Sequence, residues 1–197
     1  MIEGYEKSLF NFTLAYSVSA HLTLALSEMK FVPVEAATVN VLREVGMATY
    51  KEHFSDIWTS TGIDLYLQQN FDVTRLNDEI RNGLVQYFLL EEENRYIGFI
   101  KICMNRPMTP GSLTRGIELE KIYLLKAFSG KGIGSKAFMF LCDYARNKGE
   151  KLVWLNVLKS NQRAIKFYEQ FGFRKIDQIE FSTDKIKIDM WVMKFDL

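Results

Sequence analysis

Cysteine, histidine and proline are scarce in this 197-residue chain, with two, two and three of them respectively, and each scarcity excludes a class of protein. Two thiols cannot staple a disulfide scaffold. Cys142 falls on an apolar helical stretch, so both cysteines are expected as free buried thiols in a reducing compartment, and the protein as cytoplasmic. His21 and His53 are too few and too far apart in sequence for a metal site, and no metal is expected. An excess of one charge is also missing: 25 Lys and Arg face 24 Asp and Glu, a net +1. That balance removes nucleic acid and membrane surfaces as partners and leaves a small molecule. No long apolar run occurs either. Between Phe10 and Leu24 the even positions are apolar and the odd ones, Ala15 apart, polar, a strand period that excludes a membrane span and argues against a secretory signal.

What is present is enough apolar material, 48% of residues, for one substantial core and one domain of ordinary size. Residues 29–197 are read as that domain, and residues 1–28 as an N-terminal arm. The arm is either dispensable or a strand that pairs with a sheet edge, and pairing with another subunit would make a homodimer. From Met29 onward the pattern is mixed α/β. A strand is expected over 30–34 and a helix over 35–54, where Val39, Leu42, Val45, Met47, Ala48 and Tyr50 recur at helical spacing. Shorter helices follow at 64–70 and 72–82, then strands at 85–90 and 96–103 around a charged turn, 91–95. Residues 105–115 hold two of the three prolines and are read as a loop. A strand over 116–125 feeds a helix over 131–147 with an inward stripe of Ile133, Ala137, Leu141, Tyr144 and Ala145. A buried strand at 152–157, a helix from Asn161, and an alternating pair at 175–181 and 185–195 complete the chain.

The junction between the strand at 116–125 and its helix is the most informative stretch. Gly130, Gly132 and Gly134 punctuate the turn. Glycines take positive φ without steric cost, so successive amides there can converge on an anion at the positive end of the helix. A dinucleotide fingerprint would need a third glycine where Ser135 stands, and a Walker loop does not occur. The spacing over Ser129-Gly130-Lys131-Gly132-Ile133-Gly134 instead resembles the (Q/R)-x-x-G-x-(G/A) signature of the GNAT superfamily of N-acetyltransferases, with Ser129 where that family has Gln or Arg. A second element, Asn161-Gln-Arg-Ala-Ile-Lys-Phe-Tyr-Glu-Gln-Phe-Gly-Phe173, is similar to the family's N-x-x-A-x-x-F-Y-x-x-x-G-F segment in every position. Residues 49–54, 65–71, 76–80, 117–123 and 154–157 further resemble the branch with PaiA-type bacterial spermidine/spermine acetyltransferases.

The resemblance implies the acyl-CoA N-acyltransferase fold, a central, mostly antiparallel mixed sheet flanked by helices, and acetyl-CoA as co-substrate. It implies that Ser129, Gly130, Lys131, Gly132, Ile133, Gly134 and Ser135 hold the pyrophosphate, that Asn161 contacts the cofactor arm, and that Tyr168 lies beside the thioester sulfur and protonates the leaving thiolate. Backbone groups of Ile122, Tyr123 and Leu124 are expected to pair with pantetheine and to polarise the thioester carbonyl. A primary ammonium of pKa about 10.4 leaves on the order of one molecule in a thousand as free amine at pH 7, so a base is needed. Glu120 is the candidate, with Glu118 on the same strand face in reserve. Tyr50, Glu52, His53, Phe54, Asp56 and Trp58 are candidates for an aromatic, acidic acceptor pocket. The implied activity is acetyl transfer to a primary amine such as a polyamine. The alternatives are a protein or peptide N-acetyltransferase and a catalytically poor acyl-CoA-binding regulator.

Overall fold

The computed structural model describes residues 29–197; the arm expected over residues 1–28 lies outside the described residues. The elements run β1 (Lys30–Pro33), α1 (Val39–Phe54), α2 (Ser60–Asn70), α3 (Val73–Asn82), β2 (Val85–Glu92), β3 (Arg95–Pro107), β4 (Arg115–Leu124), α4 (Ile133–Asn147), β5 (Leu152–Leu158), α5 (Gln162–Gln170), β6 (Arg174–Ser182) and β7 (Lys187–Asp196). The strands form one sheet in the order β1-β2-β3-β4-β5-β7-β6. All neighbours are antiparallel except β4 and β5. The expected mixed, mostly antiparallel sheet flanked by helices is therefore the observed one.

Local chemistry sets the boundaries. Thr59 accepts a hydrogen bond from Gly62 N at 3.0 Å, so α2 starts at Ser60, a turn earlier than apolar spacing suggests. Asp72 caps α3 in the same way, and Gly83 ends it at φ +72°. Glu93 and Asn94 both take positive φ, the conformation of a two-residue hairpin turn, which lets β2 and β3 run on into the expected charged turn. Residues 105–107, expected as loop, belong to β3: Arg106 pairs with Gly116 and Pro107 with Arg115. Proline is tolerated there because it ends the strand.

Successive residues of β2 face opposite ways, and they divide the core in two. Phe88 and Leu90 join a cluster with Ile133, Ala137, Leu141 and Ala145 of α4 and Ile165 and Tyr168 of α5. Tyr87 and Leu89 join one with Leu42 of α1, Leu67 of α2 and Leu76 of α3. α1–α3 thus cover one face of the sheet and α4–α5 the other.

One irregularity positions everything that follows. Lys101 pairs with Lys121 while its neighbour Ile102 pairs with Leu119, which leaves Glu120 as an extra residue on β4. It is a β-bulge. The apolar parity of β4 slips with it, because Ile117 and Leu119 share a cluster with Ile122 and Leu124 while Tyr123 turns to the other. Lys101, 4% exposed, anchors the bulge by bridging Glu120 and Glu79 of α3, each at 3.0 Å. Lys101→Met keeps the aliphatic stem but removes the buried cation shared by two largely buried carboxylates, leaving Glu120 to Lys121 and Glu79 to Arg75. Urea denaturation should show a loss of about 3 kcal/mol; a loss under about 1 kcal/mol would mean that the ion pairs do not hold the bulge.

Candidate active site

β4 and β5 pair only at Ile117↔Val153 and Glu118↔Trp154. β5 then stays in register with β7 along its whole length, Leu152↔Asp196 to Leu158↔Met190, while the bulged β4 twists away. A cleft of about 700 Å³ opens where the strands part. Beyond Glu118 the β5-facing backbone groups of β4 have no strand partner, so the edge is available to an extended ligand carrying amides. Ile122, Tyr123, Leu124, Ser129, Gly130, Gly132, Gly134, Ser135, Asn161 and Tyr168, expected far apart in sequence, all line this cleft, as do Glu118 and Glu120. Lys131 and Ile133 do not: Lys131 Nζ lies 5.0 Å from the centre of the Phe128 ring, and Ile133 is buried in the core.

At one end lies the glycine turn. Gly130 and Gly132 adopt φ +83° and +78°, and Gly132 is the N-cap of α4, whose first turn holds no acidic residue. The amides at the start of the helix are therefore unopposed by negative charge. A Cβ at Gly130 would sit 3.2 Å from Nη2 of Arg163. Arg163 lines the cleft with Ser129, and it forms no hydrogen bond or ion pair among the described residues. A guanidinium from α5 thus stands over the loop whose own long polar residue is missing. The sequence signal was available, since position 163 lies within the second motif, but spacing alone does not say which way it points. Asn161 spends its Oδ1 on Ala164 N at 3.0 Å, capping α5.

Two carboxylates mark the middle of the cleft, and their surroundings differ. Burial alone would raise the Glu120 carboxyl, but Lys121 and Lys101, with a thiol hydrogen bond from Cys103 at 3.0 Å, hold it well below the usual carboxylate range. Burial and the Glu120 charge act together on Glu118, whose nearest cation, Arg106, stands 3.8 Å away, and push it up to about 7. Burial also pushes the Cys103 thiol up to about 12. The ligand atoms of Cys103, Glu118 and Glu120 lie within 4.8 Å of one another, but Glu120 already faces two ammonium groups, which is the geometry of an ion-pair cluster. Tyr168 is 8% exposed, and burial raises its phenol above its ordinary value.

Tyr50, His53, Phe54, Ile57, Tyr66, Ile179, Phe181 and Met190 close the other end. Tyr50 stacks on Tyr66 at 4.5 Å between ring centres and meets Phe54 at 4.8 Å. Glu52, Asp56 and Trp58, expected in this pocket, do not line it. Glu52 Oε2 accepts from Lys126 N at 2.6 Å, Asp56 offers its carbonyl to Lys185 Nζ at 2.8 Å, and Trp58 Nε1 donates to Tyr50 OH at 3.1 Å. His53 Nε2 lies 2.7 Å from the Leu124 carbonyl, tying α1 to the end of β4. The turn between β6 and β7 straps over this end: Thr183 Oγ1 donates to Ile57 O at 2.7 Å and Thr59 N to Asp184 Oδ1 at 3.2 Å.

Comparison with known proteins agrees with this geometry. An "Uncharacterized N-acetyltransferase in pepI 3'region" of Lactobacillus delbrueckii subsp. lactis is 22% identical over 156 residues, 79% of this chain and 90% of that protein. The "Probable spermine N(1)-acetyltransferase" of Bacillus subtilis subsp. natto is 27% identical over 73 residues, 36% of this chain and 48% of that one. Among solved structures, PaiA N-acetyltransferase from Thermoplasma acidophilum in complex with coenzyme A shares the fold with a TM-score of 0.69 at 18% identity, covering 86% of this chain and 99% of that one. The profile of the acetyltransferase (GNAT) family matches residues 47–173. With the greater part of its length matched, from the middle of α1 through α5, the chain belongs to the acetyltransferase (GNAT) family and is an N-acetyltransferase.

Proposed function

We propose that the protein transfers an acetyl group from acetyl-coenzyme A directly to the primary amine of a small molecule bound beside it. The observation that carries this reading is the continuity of one cleft from the glycine turn, along the unpartnered edge of β4, to Glu118 and the aromatic wall. Acetyl-CoA supplies an acyl group activated as a thioester. Loop amides from Gly130 to Ser135 bind its pyrophosphate, and the Arg163 guanidinium adds the charge that Ser129 lacks. The edge of β4 takes the pantetheine amides, and an N–H of the Ile122–Leu124 segment polarises the thioester carbonyl.

For the base, the electrostatics favour Glu118 over Glu120. Glu120 is held ionised by two lysines and is a poor proton acceptor, whereas Glu118, at about 7, is matched to neutral pH. Glu118 takes one proton from the bound ammonium, freeing the nitrogen lone pair for attack; the C–N bond forms, the C–S bond breaks as Tyr168 gives its phenolic proton to the thiolate, and the second proton shed by the nitrogen returns to the phenolate. The strapped acceptor end suits a small molecule better than a peptide groove. Among small amines, the PaiA-type resemblance and the Bacillus subtilis relative make a polyamine one candidate, to be weighed against the lining of the acceptor end. Both cysteines are free and buried, which suits the cytoplasm, and no helix of the described residues is long and apolar enough to cross a membrane.

Calorimetric titration tests the loop. Gly132→Val should weaken acetyl-CoA binding at least tenfold, about 1.4 kcal/mol, and Arg163→Ala about fivefold; unchanged affinity in both folded variants would overturn the assignment. Tyr168→Phe should bind acetyl-CoA normally and lose roughly 10²-fold in kcat, and wild-type kcat with chemistry rate-limiting would make Tyr168 a packing residue.

Glu118 is tested by pH. With its carboxylate receiving an ammonium substrate, kcat/KM should rise to about pH 7 and level off until the amine itself deprotonates near about pH 10. Glu118→Gln should lose the break near 7 and follow the free amine upward, and a break that persists would contradict the assignment. Stability gives an independent readout. A carboxyl raised from 4.5 to about 7 in the fold favours the folded state fully below the unfolded value and loses that contribution as pH climbs to the folded one. Wild type should therefore lose stability relative to Glu118→Gln between about pH 5 and 7.

A further inference from the structure

Asn156 of β5 lines the cleft, yet its Oδ1 is buried with no hydrogen-bond partner. A buried carbonyl oxygen without a donor is unfavourable, and native folds seldom keep one without use. Its direction follows from strand alternation. Residues 152, 154 and 156 share one face of β5, where Leu152 and Trp154 pack with Val192 and Ile179. Glu118 is the register partner of Trp154 and so faces the same side. Asn156 therefore stands two residues beyond Trp154 on the Glu118 side of the sheet, at the open end of the strand pair. Apart from His53, whose Nε2 is taken up by the Leu124 carbonyl, the rest of that end is aromatic and aliphatic: Tyr50, Phe54, Tyr66, Ile179, Phe181 and Met190. Of the two carboxylates there, Glu120 is committed to Lys101 and Lys121, which leaves Glu118 alone to meet an ammonium.

Building on the acetyl-transfer reading, we propose that Asn156 is an acceptor-binding residue that determines specificity. Its Oδ1 receives one N–H of a primary amine whose other protons face Glu118, and the amine is carried on an apolar, ring-sized body packed against the aromatic wall. A polycation fits less well, because its further ammonium groups would lie against uncharged aromatic and aliphatic side chains.

The test is calorimetric titration of 2-phenylethylamine and of spermidine into the CoA-saturated full-length protein, alongside initial rates of CoA release from acetyl-CoA. Asn156→Leu, or the smaller Asn156→Ala where Leu does not fold, should weaken 2-phenylethylamine binding at least tenfold and leave acetyl-CoA affinity unchanged. Asn156→Asp, which keeps an acceptor oxygen, should restore amine binding to within threefold of wild type. Asn156→Leu should also melt above wild type, since an unpartnered polar group has gone. Equal amine affinity in wild type and the Leu or Ala variant would overturn the role of Asn156, and spermidine preferred to 2-phenylethylamine by wild type would overturn the apolar acceptor. Amines that bind without CoA release would count instead against acetyl transfer, leaving the binding assignment standing.

Discussion

The proposed site depends on the brevity of one strand pairing. β4 and β5 lie parallel and touch in register at two residue pairs, and the sheet would close over its own active site if that ladder continued. Two features prevent it. The extra residue at Glu120 twists β4 away, and β5 is held along its full length by β7. The gap then exposes unpaired backbone of β4 as the proposed binding edge, and the sheet's two faces supply the walls. The sheet is thus both the scaffold and, where it fails to close, the site.

Electrostatics divide labour between two neighbouring carboxylates. Lys101 is buried, and its ion pairs with Glu79 and Glu120 fix the bulge, so the Glu120 charge is largely structural. The same charge, close to Glu118, raises that group into the neutral range. In the proposed mechanism a structural ion pair on one carboxylate thereby prepares the other for proton transfer, as expected when environments push two acids apart.

Much of this was legible in the residues. The glycine turn and the Asn161–Phe173 segment located the cleft's two sides, because both are local motifs whose geometry follows from backbone conformation and helix capping. The number and order of elements also followed from period. What escaped was non-local. The slip of apolar parity from Ile117 and Leu119 to Ile122 and Leu124 is present in the sequence, but it reads as a bulge only once β3 supplies the register. The choice between Glu118 and Glu120 turns on Lys101, nearly twenty residues away, which no motif connects to either. Glu52, Asp56 and Trp58 fell at plausible spacing beside Tyr50 and His53, yet tertiary hydrogen bonds turn the Glu52 and Trp58 side chains to other tasks, and Asp56 stays outside the cleft. Arg163 and Asn156 sat inside recognised elements, and only direction distinguishes them from their neighbours: Arg163 stands over the glycine turn, and Asn156 turns a buried, unpartnered oxygen to the cleft.

Hydrogen exchange resolved by peptide, with and without acetyl-CoA, tests the central claim most directly, because the account places the ligand on backbone amides. Protection should appear at residues 121–124 and 129–135 together, with β1 and β2 unchanged. Protection confined to the glycine turn, or absent from β4, would contradict the claim that the parted strands form the site.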